Sequence, residues 1–85
     1  MATLSDLPNI GAILEKQLNA VRVFTGEELR TLGSRETWLR IQHIDSSACI
    51  HRLLALEGAV RGVRKTLLPP DVKDELREFY RQHKI

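Results

Sequence analysis

Apolar residues recur three and four positions apart along most of this chain, and that spacing predicts helices rather than strands. The first predicted helix covers about residues 9–20, with apolar positions at Ile10, Ile13, Leu14, Leu18 and Val21. Thr25 and Glu28 have the spacing of a capping box, and they predict a second helix over about residues 26–32. Gly33 is expected to end this second helix.

Three further helices are predicted in the rest of the chain. Ser34 is expected to cap a third helix that runs to about Gln42. Asp45 is expected to cap the fourth and longest helix, about residues 46–63, whose apolar positions are Cys49, Ile50, Leu53, Leu54, Leu56, Val60 and Val63. After two prolines, a fifth helix runs from about residue 70 to residue 82. The broad apolar stripe of the fourth helix predicts that it lies at the centre of the core.

The predicted fourth helix also contains four small residues, which are Ala55, Gly58, Ala59 and Gly62. Glycine inside a helix costs about 0.5–1 kcal/mol relative to alanine, so its presence there favours a packing role. We therefore expect the backbone of a neighbouring segment to approach this helix closely.

The aromatic side chains Phe24, Trp38, Phe79 and Tyr80 are predicted to lie in the core, with the Tyr80 hydroxyl at the surface. Their alternative use is as platforms on which nucleic-acid bases stack. No stretch alternates apolar and polar residues for long enough to form a sheet. The chain is therefore predicted to be a single all-α domain of five helices over residues 1–85.

The composition is that of an ordinary globular domain. The chain has 85 residues and is 42% apolar and 28% charged, with 13 Lys and Arg against 11 Asp and Glu, so its net charge is +2. This charge is well below that expected of a protein whose binding is dominated by phosphate neutralisation. Because 85 residues supply one modest core, self-association as a homodimer is a further expectation.

Enzymatic, metal-binding and membrane functions are not expected. Cys49 is the sole cysteine, and its spacing from the three histidines matches no metal-ligand pattern, so no metal or cofactor is predicted. No serine has a nucleophile context and no carboxylate pair has a suitable spacing, so no catalytic residue is predicted. No signal peptide or membrane-spanning apolar run is visible, and we expect a cytoplasmic protein without membrane contact.

The turn Leu-Pro-Asn-Ile-Gly at residues 7–11 is the candidate binding feature. Asn9 tolerates the left-handed conformation that such a turn requires. The first amides of the following helix have no partner within the helix, and they favour an anion such as a nucleic-acid phosphate. The candidate DNA-binding residues are Asn9, Ile10, Gly11, Ala12 and Lys16, together with a basic group at Arg61, Arg64 and Lys65.

Two features weaken the DNA interpretation. The chain has Ala12 and Ile13 directly after Gly11, where a lysine or arginine would supply most of the attraction to a phosphate. The basic group at residues 61–65 stands at the end of a predicted helix, where cations complement the helix dipole. In this alternative interpretation, the turn at residues 7–11 does not bind DNA and only joins two helices and packs them together.

Four segments of the chain carry a family resemblance. The turn at residues 7–11 is similar to the helix-hairpin-helix motif of DNA-repair proteins, in which the hairpin amides hold a phosphate. Together with Gly-Glu-Glu-Leu-Arg-Thr-Leu-Gly at residues 26–33, Leu-Ala-Leu-Glu-Gly-Ala at 54–59 and Leu-Pro-Pro at 68–70, it resembles the C-terminal domain of the TfoX (Sxy) family. The resemblance covers about residues 4–81.

The resemblance implies an all-helical domain with an N-terminal helix-hairpin-helix-like (SAM-like) unit. It also implies a link to transcriptional control of DNA uptake in bacteria. Members of the family are thought to act with a cyclic-AMP receptor protein at competence promoters, and they usually carry a further N-terminal domain. We expect this chain to be a diverged, stand-alone relative without that domain, and the family provides no catalytic residues.

Two hypotheses about function follow. In the first, the chain is a protein–protein interaction module in transcriptional regulation that binds a protein, such as a transcription regulator, through an apolar or mixed helical surface. In the alternative, it binds the DNA backbone without sequence preference through the turn at residues 7–11 and the nearby cations.

Overall fold

The computed structural model describes residues 3–85, and that range contains five α-helices and no strand. The helices are α1 Ala12–Ala20, α2 Gly26–Leu32, α3 Ser34–Ile44, α4 Ile50–Arg61 and α5 Pro70–His83. Two short 3₁₀ helices are also present, Leu4–Asp6 before α1 and Lys65–Leu67 after α4. The prediction of an all-α fold with five helices is confirmed.

The centre of the core is α4, as predicted. It packs against α2, α3, α5 and the second 3₁₀ helix, and all residues from 53 to 59 are buried. A helix that is buried on every side occupies the interior of a domain. Leu53 and Leu56 are completely buried.

Trp38 of α3 is the largest completely buried side chain. Its ring makes edge-on contacts with Phe79 and Tyr80 of α5, at centroid distances of 6.2 and 5.5 Å. Its indole Nε1 donates a hydrogen bond of 3.3 Å to the carbonyl oxygen of Cys49. Trp38 therefore joins α3, α5 and the start of α4, and three of the four aromatic side chains pack in or against the core as predicted.

The start of α4 differs from the prediction. It begins at Ile50 with Cys49 as its N-cap, because Asp45 uses its carboxylate to organise the preceding loop. Asp45 accepts hydrogen bonds from the backbone N–H of Ser47 (3.0 Å) and from the Arg52 guanidinium (2.8 Å). Hydrogen bonds from Ser47, and then from Arg52, hold the pKa of Asp45 well below its usual range. The prediction that α4 is the longest helix is therefore wrong, since it has 12 residues and α5 has 14.

The ends of α2 follow local sequence signals. The backbone N–H of Glu28 donates to the Thr25 hydroxyl at 3.1 Å, which confirms the predicted N-cap. Gly33 ends α2 with φ +85° and also serves as the N-cap of α3. The prediction that Ser34 caps α3 is therefore wrong, and the Ser34 hydroxyl donates instead to the carboxylate of Glu57.

Two large apolar side chains of residues 3–32 lie at the surface. Ile13 is 79% exposed, because Leu14 and Leu18, one turn apart, form the face of α1 that packs into the core. Phe24 is 57% exposed, because its neighbour Val23 occupies the core position of the link between α1 and α2. The prediction that Phe24 belongs to the core is therefore wrong.

Candidate functional site

The side chain of Asn9 fastens the turn at residues 7–11 to the C-terminal end of α4. Asn9 has φ +69°, the left-handed conformation that the sequence predicts for it. Its amide nitrogen donates to the carbonyl oxygens of Ala55 (3.3 Å) and Val63 (3.0 Å). Its amide oxygen accepts from the backbone N–H of Lys65 at 3.1 Å. The Asn9 side-chain amide thus forms its hydrogen bonds with backbone groups of the protein itself.

Gly58 provides the space into which Asn9 fits. A Cβ atom at this position would overlap the Asn9 side-chain amide and lie 2.6 Å from the carbonyl oxygen of Val63. The predicted close approach to the fourth helix is therefore confirmed at Gly58. Gly62 has a different role, since it ends α4 in the left-handed conformation, with φ +75°.

The start of α1 leaves backbone donors without a protein partner. Gly11 is its N-cap, and no side chain caps the helix. Within residues 3–85, the N–H groups of Gly11, Ala12 and Ile13 donate to no other group. Lys16, one turn further on, is exposed and has no carboxylate of the described residues within 4 Å. This helix end therefore has the positive character that the sequence predicts.

The predicted basic group consists of one paired and two unpaired cations. The Arg61 guanidinium donates to the Glu57 carboxylate at 2.6 Å, and this ion pair neutralises its charge. Arg64 and Lys65 have no carboxylate within 4 Å in the part of the chain that the structure describes. The contact between Asn9 and Lys65 brings the backbone of the basic group to the turn at residues 7–11, although 56 positions separate Asn9 and Lys65 in the sequence.

Glu57 is a buried acid that sequence reasoning missed. Burial raises the pKa of its carboxyl, but hydrogen bonds from Ser34 and Arg61, together with the charge of Arg35, outweigh this effect and hold the pKa below its usual value. The available signal was a lone acid between apolar positions of α4 that were predicted to be buried. A charge in such a position requires partners, and Ser34 and Arg61 supply them.

A groove of about 610 Å³ lies between the first 3₁₀ helix, α1 and the start of α2. We call it the Phe24 groove and define it by the lining residues Leu4, Leu7, Glu15, Phe24, Glu27 and Arg30. It combines apolar side chains with charged ones, and the ring of Phe24 is more than half exposed. Sequence reasoning did not find this groove, because it forms only when three separate elements pack together.

The charged side chains differ between the two parts of the chain. In residues 3–32, no acid has a cation of the described residues within 4 Å, and these acids are Asp6, Glu15, Glu27 and Glu28. In residues 33–85, every acid except Asp71 is in an ion pair, and the paired acids are Glu36, Asp45, Glu57, Asp74, Glu75 and Glu78. Unpaired acids therefore concentrate in the part of the chain that forms the Phe24 groove.

The described part of the chain contains no candidate metal site and no candidate membrane-spanning helix. Within residues 3–85, no three histidine, cysteine, aspartate or glutamate side chains lie close enough together to hold a metal ion. None of the helices in that range combines the length and apolarity that crossing a bilayer requires. Cys49 lies half-buried at the N-cap of α4 rather than on its apolar face.

These features define a compact all-helical domain of five helices packed around α4. Residues 1–80 match the family described as the TfoX C-terminal domain, and the chain belongs to that family. It is 37% identical over 76 residues to Protein Sxy of Escherichia coli (strain K12). The predicted relationship to the TfoX (Sxy) family is therefore confirmed, and this is a family of regulators rather than a known enzyme family.

Two crystal structures from Listeria monocytogenes share the fold. An uncharacterized protein in a triclinic form is 47% identical, with a TM-score of 0.94 over 95% of this chain and 92% of that chain. A protein of unknown function in a tetragonal form is also 47% identical, with a TM-score of 0.91 over 93% of this chain and 96% of that chain.

The match to Protein Sxy covers 89% of this chain but only 36% of that relative. The chain thus spans about a third of the length of this relative.

Proposed function

We propose that this chain is a protein–protein interaction module in transcriptional regulation, which acts in the cytoplasm and binds a protein partner through the Phe24 groove. The observation that carries the proposal is an exposed aromatic ring in a groove whose rim charges have no ion-pair partner in the described chain. Membership of a regulator family supports a partner that is itself a transcription regulator.

The exposed ring of Phe24 provides a driving force for association. An aromatic side chain buries about 150–250 Å² when it is fully covered. Phe24 is 57% exposed, and covering that part at about 25 cal/mol per Å² stabilises a complex by about 2–4 kcal/mol. Aromatic residues of this kind often dominate the binding free energy of an interface.

Photo-crosslinking in the native host tests the proposal. A benzoylphenylalanine replaces Phe24 in one strain, and in a matched control strain it replaces Ile44, which is 55% exposed on α3. We expect an adduct with a transcription regulator at Phe24 that survives nuclease treatment, and none at Ile44. If Phe24 forms no such adduct, binding through the Phe24 groove is wrong, and if no exposed position forms one, the interaction function is wrong as well.

The contact between Asn9 and Lys65 favours a second candidate function, which is DNA-backbone binding. This contact joins the backbone of Lys65 to the turn whose following amides are free, and neither Arg64 nor Lys65 has a carboxylate of the described residues within 4 Å. We infer that Arg64 and Lys65 add the positive charge that the sequence lacks after Gly11. In this function, the amides of Gly11 and Ala12 hold a phosphate while Lys16, Arg64 and Lys65 add charge.

Fluorescence anisotropy with duplex DNA at low salt tests the second candidate. Affinity should fall with salt, with a log–log slope of roughly −0.9 for each phosphate neutralised. Lys65→Glu should weaken binding and reduce that slope by about one, whereas Lys84→Glu, at the far end of the chain, should do neither. The absence of binding at tens of micromolar protein would reject this function.

A further inference from the structure

We infer, on the basis of the proposed interaction function, that the Phe24 groove binds a protein segment in which a bulky apolar side chain is flanked by lysine or arginine residues. The apolar side chain packs against Leu7 and Phe24, and the cations pair with Glu15 and Glu27.

The two carboxylates line the groove from different elements. Glu15 lies on α1, and one of its oxygens accepts from the backbone N–H of Ser5 at 3.2 Å. Glu27 lies in the first turn of α2 and is exposed. Neither has a cation of the described residues within 4 Å. Both are therefore available to a partner.

The charge of these carboxylates selects among occupants. A partner that covers Phe24 also removes water from the groove rim, and a carboxylate that loses water without gaining a partner is costly. A purely apolar segment therefore binds poorly, and an anionic segment or a nucleic acid is repelled. A second copy of the chain, packed symmetrically, would bring Glu15 and Glu27 close to the same acids of its partner.

Arg30 limits where the cations of the segment can lie. Its guanidinium lies against Gly26, 3.4 Å from the position of an added Cβ atom, at the start of α2. Arg30 therefore adds positive charge to the groove beside Gly26. The cations of the segment are therefore expected to pair with Glu15 and Glu27 and to avoid Arg30.

Selection from a random-peptide display library on the immobilised domain tests this inference. We expect the enriched peptides to share a bulky apolar residue with lysine or arginine on one or both sides. The most enriched peptide, labelled with a fluorophore, is then titrated with the domain in solution. A version of that peptide with its cations replaced by glutamate should not bind.

Substitutions in the domain show whether the groove is the site. Phe24→Ser should weaken peptide binding about tenfold or more, as expected for an aromatic anchor, and Ile44→Ser is its exposed apolar control. Glu27→Lys should weaken binding about two- to fivefold at low salt. Asp71→Lys is the matched control, because Asp71 is also a first-turn acid with no cation of the described residues within 4 Å.

Three results would overturn the inference. The first is enrichment of acidic peptides or of none, and the second is a peptide whose binding is unchanged by Phe24→Ser. The third is dimerisation of the domain, measured by analytical ultracentrifugation, that Phe24→Ser abolishes. An adduct with a transcription regulator at another exposed position would keep the proposed interaction function while rejecting this groove, so the two failures are distinguishable.

Discussion

Residues 3–32 and residues 33–85 contribute to one core but treat their surface charges differently. The first region buries Leu4, Ile10, Leu14, Leu18, Val23 and Leu29 in the same cluster as the second. All six ion pairs of the described chain lie in the second region, and the first has none. The first region also holds the exposed ring of Phe24.

This difference separates the scaffold from the proposed binding surface. A charge that is neutralised by an ion pair within the fold attracts a partner protein only weakly. An unpaired charge next to an apolar groove gives both attraction and specificity. Residues 33–85, centred on α4 and Trp38, therefore act as the rigid support. Residues 3–32 present the groove, and Asn9 fastens them to the support.

The largest expected effect compares an aromatic residue from each region. Trp38→Ala should cost about 3–5 kcal/mol of unfolding free energy, because it leaves a cavity between α3, α4 and α5. Phe24→Ala should change it by no more than about 0.5 kcal/mol, because the ring is largely exposed. Urea denaturation followed by circular dichroism measures both. Similar losses in the two variants would show that the groove is part of the scaffold.

The next largest effect comes from disturbing the contact between Asn9 and the end of α4, which joins the two regions. Gly58→Ala should cost about 2–3 kcal/mol, because its methyl group displaces Asn9 from the carbonyl oxygen of Val63. Gly11→Ala should cost less, about 0.5–1 kcal/mol, because Gly11 has a negative φ and open space around its Cα, and alanine is only a poorer N-cap than glycine. Denaturation midpoints of both variants test this. A Gly58→Ala protein as stable as the parent would refute the role of Asn9 as a fastener.

The smallest expected loss of unfolding free energy comes from neutralising an acid, and it compares the paired Glu57 with the unpaired Glu27. Glu57→Gln should cost about 1–2 kcal/mol at neutral pH, because Glu57 loses charged hydrogen bonds to Ser34 and Arg61. The native pKa of Glu57 is lowered, so its contribution is complete above the ordinary glutamate value of 4.5 and is lost as pH falls through the native value.

The stability difference between the parent and Glu57→Gln should therefore shrink as the pH is lowered below about 4.5. Glu27→Gln is the control from the other region, and its effect should stay small at every pH, since Glu27 is exposed and unpaired. Thermal denaturation across a pH series measures both. A gap between the parent and Glu57→Gln that grows in acid would contradict the assignment.

The parts of the candidate sites that were predictable depend on single residues and their neighbours. The left-handed turn at Asn9 and the free amides after Gly11 follow from local conformational preferences. The exposure of Phe24 was not predictable, because Val23 and Phe24 are both apolar and only packing decides which of them is buried. The pairing of Glu57 with Ser34 was equally hidden, since 23 positions separate them.

Local spacing and capping signals were sufficient for the helical class, the number of helices and the central place of α4. These properties depend on interactions within a few residues, which the order of side chains already contains. Packing alone decided which charges are paired, where the Phe24 groove opens and that Asn9 reaches Lys65. Such contacts join residues far apart in the chain, so they exist only once the helices have found their relative positions.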